Sequence, residues 1–257
     1  MGEPVLVRAL SSLEDVRAAA SLFDRIWEER RVIGAPLLRA MAAHGGQVLG
    51  AFRGGEMIGA LVGLVGLTED ARPVLHSHIT GVAPGEQHLG VGFLLKQAQR
   101  EWCLDRGIDV VTWTMDPMVA RNARFNLHKL GAVADTFHRD YYGPMDDAFN
   151  RGDRSDRLEI RWELRAGRVE RAMEGRAPEP DLSSADERVG PDGQIGTVDG
   201  PRLVVRVPPA YHALRETDPQ AARTWRDAVA DALEESFAAG YVATGFAIRV
   251  GYVLERG

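Results

Sequence analysis

Hydrophobic and polar positions change period several times along the chain, and each change marks an element. Pro4 to Leu10 alternates apolar and polar residues, the period-two pattern of a strand with one buried face. From Leu13 to Arg30, the residues Val16, Ala19, Ala20, Phe23, Ile26 and Trp27 fall on one helical face, with Ser11 or Ser12 placed to cap it. A short helix over about Pro36 to Ala43 comes next, ending at Gly45. Gln47–Arg53 and Met57–Leu67 flank Gly54-Gly55, a two-residue hairpin signal. Val74 to Val82 predicts another strand, and after a glycine-containing loop Val91 to Arg106 predicts a helix closed by Gly107. Ile108 to Met115 is β-rich, Val119 to Leu130 reads as a helix closed by Gly131, and Arg157 to Leu164 as a last strand. The order β-α-α-β-β-β-α-β-α-β-β is a mixed α/β layer architecture.

The pattern breaks at Ala166. Residues 166–200 are rich in glycine, proline and acids and poor in large apolar side chains, which predicts a linker or solvated loop. Beyond it, Arg202 to Val207 alternates as a strand and Asp218-Pro219 is a helix start, with the acid as cap. Trp225, Ala228, Val229, Ala232, Leu233 and Phe237 then make an apolar stripe up to Gly240. Tyr241 to Leu254 is a β-prone run interrupted by Gly245 and Gly251. The 257 residues are thus expected to divide as 1–165, a join at 166–200, and a strand–helix–strand subdomain at 201–257. The stripe of that subdomain must be buried, either on the N-terminal part or across a homodimer.

Composition narrows the function classes. The apolar fraction of 45% and charged fraction of 26% are those of an ordinary globular protein. The longest apolar run, Met57 to Leu67, is too short to cross a bilayer and contains three glycines. No secretory signal is visible at the N-terminus. The net charge of −6 argues against a dedicated nucleic-acid binder. Only Lys96 and Lys129 stand against 29 arginines, so Schiff-base chemistry has almost no lysine to use. The single Cys103 excludes an intrachain disulfide and a cysteine-clustered zinc site, and fits a cytoplasmic location. His76-x-His78 places two imidazoles on one strand face, but no third ligand has supporting spacing, so no metal is expected.

The stretch Val82-Ala83-Pro84-Gly85-Glu86-Gln87-His88-Leu89-Gly90-Val91-Gly92 lies between a predicted strand and a predicted helix. Its glycines let backbone approach an anion closely, and free N–H groups at a helix start point toward it. A Walker loop would need Lys and Ser or Thr after Gly90, where Val91 and Gly92 stand. The dinucleotide spacing G-x-G-x-x-G is also absent. The pattern Gln87-x-x-Gly90-x-Gly92 after a Val82-x-Pro84 strand end resembles the acyl-CoA loop of GNAT-type N-acetyltransferases. Asn122, Ala123 and Lys129-Leu130-Gly131 are similar to the family's later helix. Ser77-His78, Trp113-Thr114, Asp116-Pro117 and Asp156-Arg157 look like a branch of predicted acetyltransferases.

The resemblance implies a GNAT-like, mostly antiparallel central sheet flanked by helices over 1–165, with 201–257 as a small extension. It implies acetyl-CoA as cosubstrate and direct acetyl transfer to a small-molecule amine or aminoacyl acceptor in a ternary complex. Cofactor contacts are then expected from Gly81, Val82, Gln87, His88, Leu89, Gly90, Val91, Gly92, Phe93 and Asn122. The family often has a tyrosine four residues before the helix-closing glycine, and here that position is Leu127. Proton-transfer candidates are therefore His78 and Asp116 as base and Tyr142, or its neighbour Tyr141, as acid. His78 can equally be a hydrogen-bonded core residue, and Asp116 a cap for the next helix. Leu127 keeps open a non-catalytic CoA-binding regulatory or assembly module, and nothing in the loop reads acyl length.

Overall fold

Ser12 opens the first helix as the pattern predicts, its hydroxyl accepting from the Asp15 N–H at 3.0 Å. The computed structural model describes residues 3–28, 32–145, 152–190 and 192–257. The end of the predicted Leu13–Arg30 helix and the first two residues lie outside them. The chain forms two compact units, residues 1–113 with 145–153 and residues 114–144 with 154–257.

The first unit contains β1 (Leu6–Ala9), α1 (Leu13–Trp27), α2 (Ala35–Ala43), β2 (Gln47–Arg53), β3 (Glu56–Leu67), β4 (Pro73–Val82) and α3 (Val91–Leu104). The division of the chain falls within β5 (Val110–Met115). Its strand order is β1-β2-β3-β4-β5. All pairings are antiparallel except β4 with β5, which is parallel and runs over only Leu75↔Val111 and His76↔Thr112. Alternating side chains send Val48, Ala60 and Val62 to one face, against Val16, Leu22 and Phe23 of α1 and Leu38 of α2. Leu49, Ala51 and Leu61 take the other face with Val91 and Leu95 of α3. Helices thus cover both faces.

The second unit holds α4 (Ala120–Ala123), a π-helix over Arg124–Lys129, β6 (Val133–His138), β7 (Arg157–Glu163) and α5 (Gly167–Met173). It continues with β8 (Asp186–Val189), β9 (Arg202–Arg206), α6 (Tyr211–Thr217), α7 (Pro219–Ala238), β10 (Tyr241–Ala247) and β11 (Gly251–Arg256). Its strand order is β7-β6-β10-β11-β9-β8, antiparallel except for the β8–β9 pair. Asp218 caps α7 through the Ala221 N–H, with Pro219 in the first turn. Ala228, Val229, Ala232 and Leu233 of the predicted stripe are buried.

Three expectations are corrected. The predicted linker 166–200 contains α5 and β8, and β8 is held by pairing with β9 and by the buried Arg188 at Glu235. The predicted helix over Val119–Leu130 is one α turn followed by a π segment, in which Leu130 N–H reaches back five residues to the Phe125 carbonyl at 2.9 Å. Residues 201–257 also do not stand apart. They share a compact unit with 114–144 and 154–165, and β10 continues the sheet beside β6 at Ala243↔Ala134.

Candidate functional site

β4 delivers the chain into the glycine loop. Gly81 is buried, and a Cβ there would stand 2.7 Å from Ile26 Cδ1 and 3.0 Å from Trp27 Cζ3. Its missing side chain therefore has a packing cause, the close seat of α1 on β4. Ala83 N–H donates to the Ile58 carbonyl at 2.8 Å, and Glu86 N–H closes a turn onto Ala83 at 3.1 Å. The Glu86 carboxylate is fastened to Arg53, at the end of β2, at 2.6 Å. Gln87–Leu89 make one 3-10 turn in which Gln87 and His88 are exposed. Gly90 then takes left-handed geometry, φ 71° and ψ 15°, as the cap of α3.

This arrangement presents backbone donors. The Gly90 carbonyl accepts from Phe93 N–H at 2.9 Å and from Leu94 N–H at 3.1 Å. The first turn of any α-helix has N–H groups with no intrahelical acceptor, and its dipole favours negative charge. Val91 is fully buried and fixes the start of the helix. No protein atom lies within 4 Å of where a Gly90 Cβ would be, so the space over this turn is open. Residues 81–93 include no lysine or arginine. An anion at this turn would therefore meet main-chain amides rather than a basic side chain of the loop.

His78 lies in the middle of β4, an exposed residue with its ring 6.1 Å from the His76 ring between centroids and protein packed on part of it. Surrounding protein removes enough water to pull its imidazole below the ordinary value, so it is neutral at pH 7 and able to accept a proton. No group of three His, Cys, Asp or Glu side chains among the described residues is arranged to hold a metal ion. Cys103 is buried, and burial pushes its thiol up to about 12, which makes it a poor nucleophile.

Beneath β4 runs a buried polar line. Lys96 of α3 donates to Ser77 Oγ at 2.8 Å and to Gln99 Oε1 at 2.9 Å, and Gln99 donates to Gln47 Oε1 at 2.9 Å. The ammonium sits 3.8 Å from the Trp113 ring centroid. Burial pulls Lys96 down to about 7. The two lysines among 29 arginines are the sequence signal for this site, because lysine, unlike arginine, can shed its proton when desolvated. Unfolded lysine titrates near ~10.4, so above pH 7 the unfolded chain holds a proton that the folded chain does not, and stability rises with pH. Comparison is best made from pH 7 to about 8.5, below the titration of an unfolded Cys103 thiol. Urea unfolding of the wild type is expected to gain up to about 2 kcal/mol over Lys96→Met across that window. A constant difference between the two proteins would remove the buried ammonium from the account.

The remaining predicted residues belong to the second unit. Asp116 follows β5 directly and both its oxygens are engaged. Oδ1 accepts from Met118 N–H at 2.8 Å, and Oδ2 accepts from Arg226 at 2.9 Å. The helix that follows starts at Ala120 behind Val119 with no side-chain cap, so Asp116 does not cap it but closes the turn onto Met118, and its second oxygen is committed to a buried arginine that the sequence did not reveal. Arg226 also donates to Tyr211 Oη at 3.0 Å, while the Tyr252 hydroxyl donates to the Pro117 carbonyl at 2.6 Å. Asn122 is exposed on α4. The hydroxyl of Tyr142 shares a 3.1 Å hydrogen bond with Thr114 Oγ1 at the surface, and its ring stacks edge-on with Tyr141 at 4.7 Å. Leu127 is buried within the π segment.

Residues 14–132 match the family model of the acetyltransferase (GNAT) family. The fold is similar to that of the ribosomal-protein-S18-alanine N-acetyltransferase from Escherichia coli, at 16% identity and a TM-score of 0.51, over 63% of this chain and 94% of that one. It is similar to a GNAT-family acetyltransferase from Streptococcus pneumoniae, at 14% identity and 0.52, over 62% and 98%. It is also similar to Arabidopsis thaliana Naa50, solved with the bisubstrate analogue CoA-Ac-MVNAL, at 13% identity and 0.50, over 61% and 97%. At such identities the likeness is one of fold. No curated protein matches the chain in sequence. No described helix is long and apolar enough to cross a membrane.

Proposed function

We propose that this chain, whose residues 14–132 match the family model of the acetyltransferase (GNAT) family, moves the acetyl group of acetyl-CoA directly onto a primary amine. The observation that carries the reading is the left-handed Gly90 at the head of α3, with open space above a turn of main-chain donors. Those amides, with Gln87, His88, Leu89, Val91, Gly92 and Phe93 around them, hold the pyrophosphate. The Gly81–Val82 backbone pairs with the pantetheine amides, and one N–H there polarises the thioester carbonyl. Asn122 contacts the CoA arm. The cosubstrate supplies an activated thioester: the amine nitrogen forms a bond to its carbonyl carbon, and the carbon–sulfur bond breaks. The amine gives up one proton, and the thiolate that leaves takes one.

His78 takes the amine proton, since its imidazole is neutral at the pH of reaction. Asp116 holds the 116–118 turn through Arg226 and Met118 and is the weaker candidate base. Tyr142 supplies the thiolate proton, a role that Leu127 cannot take. Within this reading residues 1–165 carry the transfer chemistry, while 166–257 belong to the compact unit that also holds 114–144. The acceptor is a small amine or an aminoacyl group.

Calorimetric titration with acetyl-CoA, then a thiol-release assay over an amine panel and several acyl-CoA thioesters, tests the reading. Micromolar binding with turnover supports it; binding without turnover leaves the CoA-binding module; absent binding ends both. His78→Gln is expected to lower kcat about 100- to 1,000-fold with an unchanged acetyl-CoA Kd. The wild-type rate should rise with pH through a midpoint below 6.5 and then level, as His78 loses its proton. A His78→Gln chain keeping that limb would exclude His78 as the base.

A further inference from the structure

The second unit contains a cavity of about 360 Å³ with no residue of the glycine loop in its lining. That volume is at the small end of ligand sites. Its walls come from the π segment (Leu127, His128), from α5 and the chain after it, and from β10 and β11. The polar groups decide its charge. Each carboxylate in the wall already has its own partners. Glu179 takes both forks of Arg124, at 2.6 and 2.8 Å. Asp181 accepts from Ser183 and from Arg202 at 2.9 Å. Glu255 accepts from Arg202 at 2.9 Å and from Thr244 at 2.9 Å.

The arginines facing the same space are not so compensated. Among the described residues, no carboxylate lies within ion-pairing distance of Arg168 or Arg171, and Glu255 and Glu163 act on Arg168 only at longer range. Arg168 is held in place by one bond, from Nη2 to the Thr244 carbonyl. That carbonyl is available because Thr244 is the extra residue of a bulge, where the β10–β11 register shifts between Ala243 and Gly245. The Arg168 Nε is buried with no hydrogen-bond partner. A buried donor left without an acceptor is costly, and a guanidinium more so. His128, whose Nε2 lies 3.6 Å from Glu179, is held below its ordinary value by burial and by Arg124, and adds a neutral imidazole to the wall at pH 7. Pro178, Pro180 and Val253 supply apolar wall.

We infer that this cavity is a second ligand site, separate from the glycine loop, for a small organic oxyanion with a short apolar body. Arg168 and Arg171 hold the carboxylate or phosphate, and the proline and valine wall covers the rest. A planar guanidinium suits either oxyanion, because its paired N–H groups match two acceptor oxygens.

The test is calorimetric titration of the full chain, in saturating acetyl-CoA, with butyl phosphate, pentanoate and inorganic phosphate. Butyl phosphate or pentanoate is expected to bind saturably at one site. The better of the two identifies the oxyanion, and inorganic phosphate measures what the apolar body adds. Arg168→Met and Arg171→Met are each expected to weaken that binding about tenfold or more. Thermal unfolding without probe checks each variant. Arg171 is exposed, so Arg171→Met decides the matter where Arg168→Met does not fold. No saturable binding of any probe, or binding unchanged in the folded variants, overturns the proposal. So does binding that appears only when acetyl-CoA is left out, since the probe is then in the cosubstrate site. A chain that fails to bind acetyl-CoA but binds a probe through these arginines refutes the acetyltransferase reading and leaves this site standing.

Discussion

Gly90→Val is expected to weaken acetyl-CoA binding about a hundredfold while leaving the protein folded. Gly90 has φ 71°, a left-handed geometry that costs an L-residue roughly 1–2 kcal/mol and a β-branched one more. Nothing in the protein lies within 4 Å of the new Cβ, so no clash with the folded chain adds to that cost. The strain is relieved by turning the peptide planes on either side, which carry the donors aimed at the phosphate. Valine methyl groups also occupy the space over the turn. A hydrogen bond to a charged group contributes about 1.5–3 kcal/mol, and 1.4 kcal/mol is tenfold in affinity, so spoiling one or two such bonds gives the expected loss. Gly90→Ala, with less side chain and less strain, should fall between valine and wild type. Calorimetry reads the affinity and urea unfolding the stability. Undiminished affinity in Gly90→Val would put the cosubstrate elsewhere.

That loop was legible in the sequence because its requirements are local. Gln87-x-x-Gly90-x-Gly92 between a strand and a helix places amides and a left-handed residue within a few positions, and no distant partner is needed. The helices α1, α3 and α7 were legible for the same reason, each having an apolar face, a capping signal or a closing glycine. What escaped was set by long-range contact. β8 reads as part of a polar segment, and exists because β9 offers its edge and Arg188 finds Glu235 forty-seven positions on. The π segment carries the apolar spacing of an ordinary helix, and its wider turn shows only in the bonds from Leu130 and Ala132 to Phe125 and Asn126. Arg226 sits within an apolar stripe, where periodicity alone predicts an outward charge. Its partner Asp116 lies 110 positions earlier, so neither residue advertises the other.

Arg226→Met is therefore expected to be the most destabilising of these single substitutions, by about 3–5 kcal/mol, the range for removing one member of a buried ion pair. The Arg226 side chain is 3% exposed, against 16% for Asp116 and 0% for Asp156, whose Oδ2 lies 3.8 Å from the guanidinium. Asp156 keeps two bonds from Arg154, at 2.6 and 2.8 Å, so Asp116 bears most of the loss. With Arg226 gone, Asp116 retains only Met118 N–H, in a site that admits little water. The Tyr252 bond to Pro117 still holds the turn from the other side. Arg226→Lys should recover little, because one ammonium cannot serve both Tyr211 and Asp116 in the geometry of a fork. Arg226→Met combined with Asp116→Asn should be less destabilised than the sum of the single changes, since no buried charge is left uncompensated. Urea unfolding of the four proteins gives the coupling directly. A loss below about 1 kcal/mol for Arg226→Met, the level of an exposed pair, would show that packing, not this ion pair, holds the 116–118 turn. Ending the chain at residue 165 removes Tyr211, Arg226 and Tyr252 together and uncovers the β6 edge at Ala134. The pair thus accounts for the C-terminal strands and α7 as support for the turn ahead of Asn122.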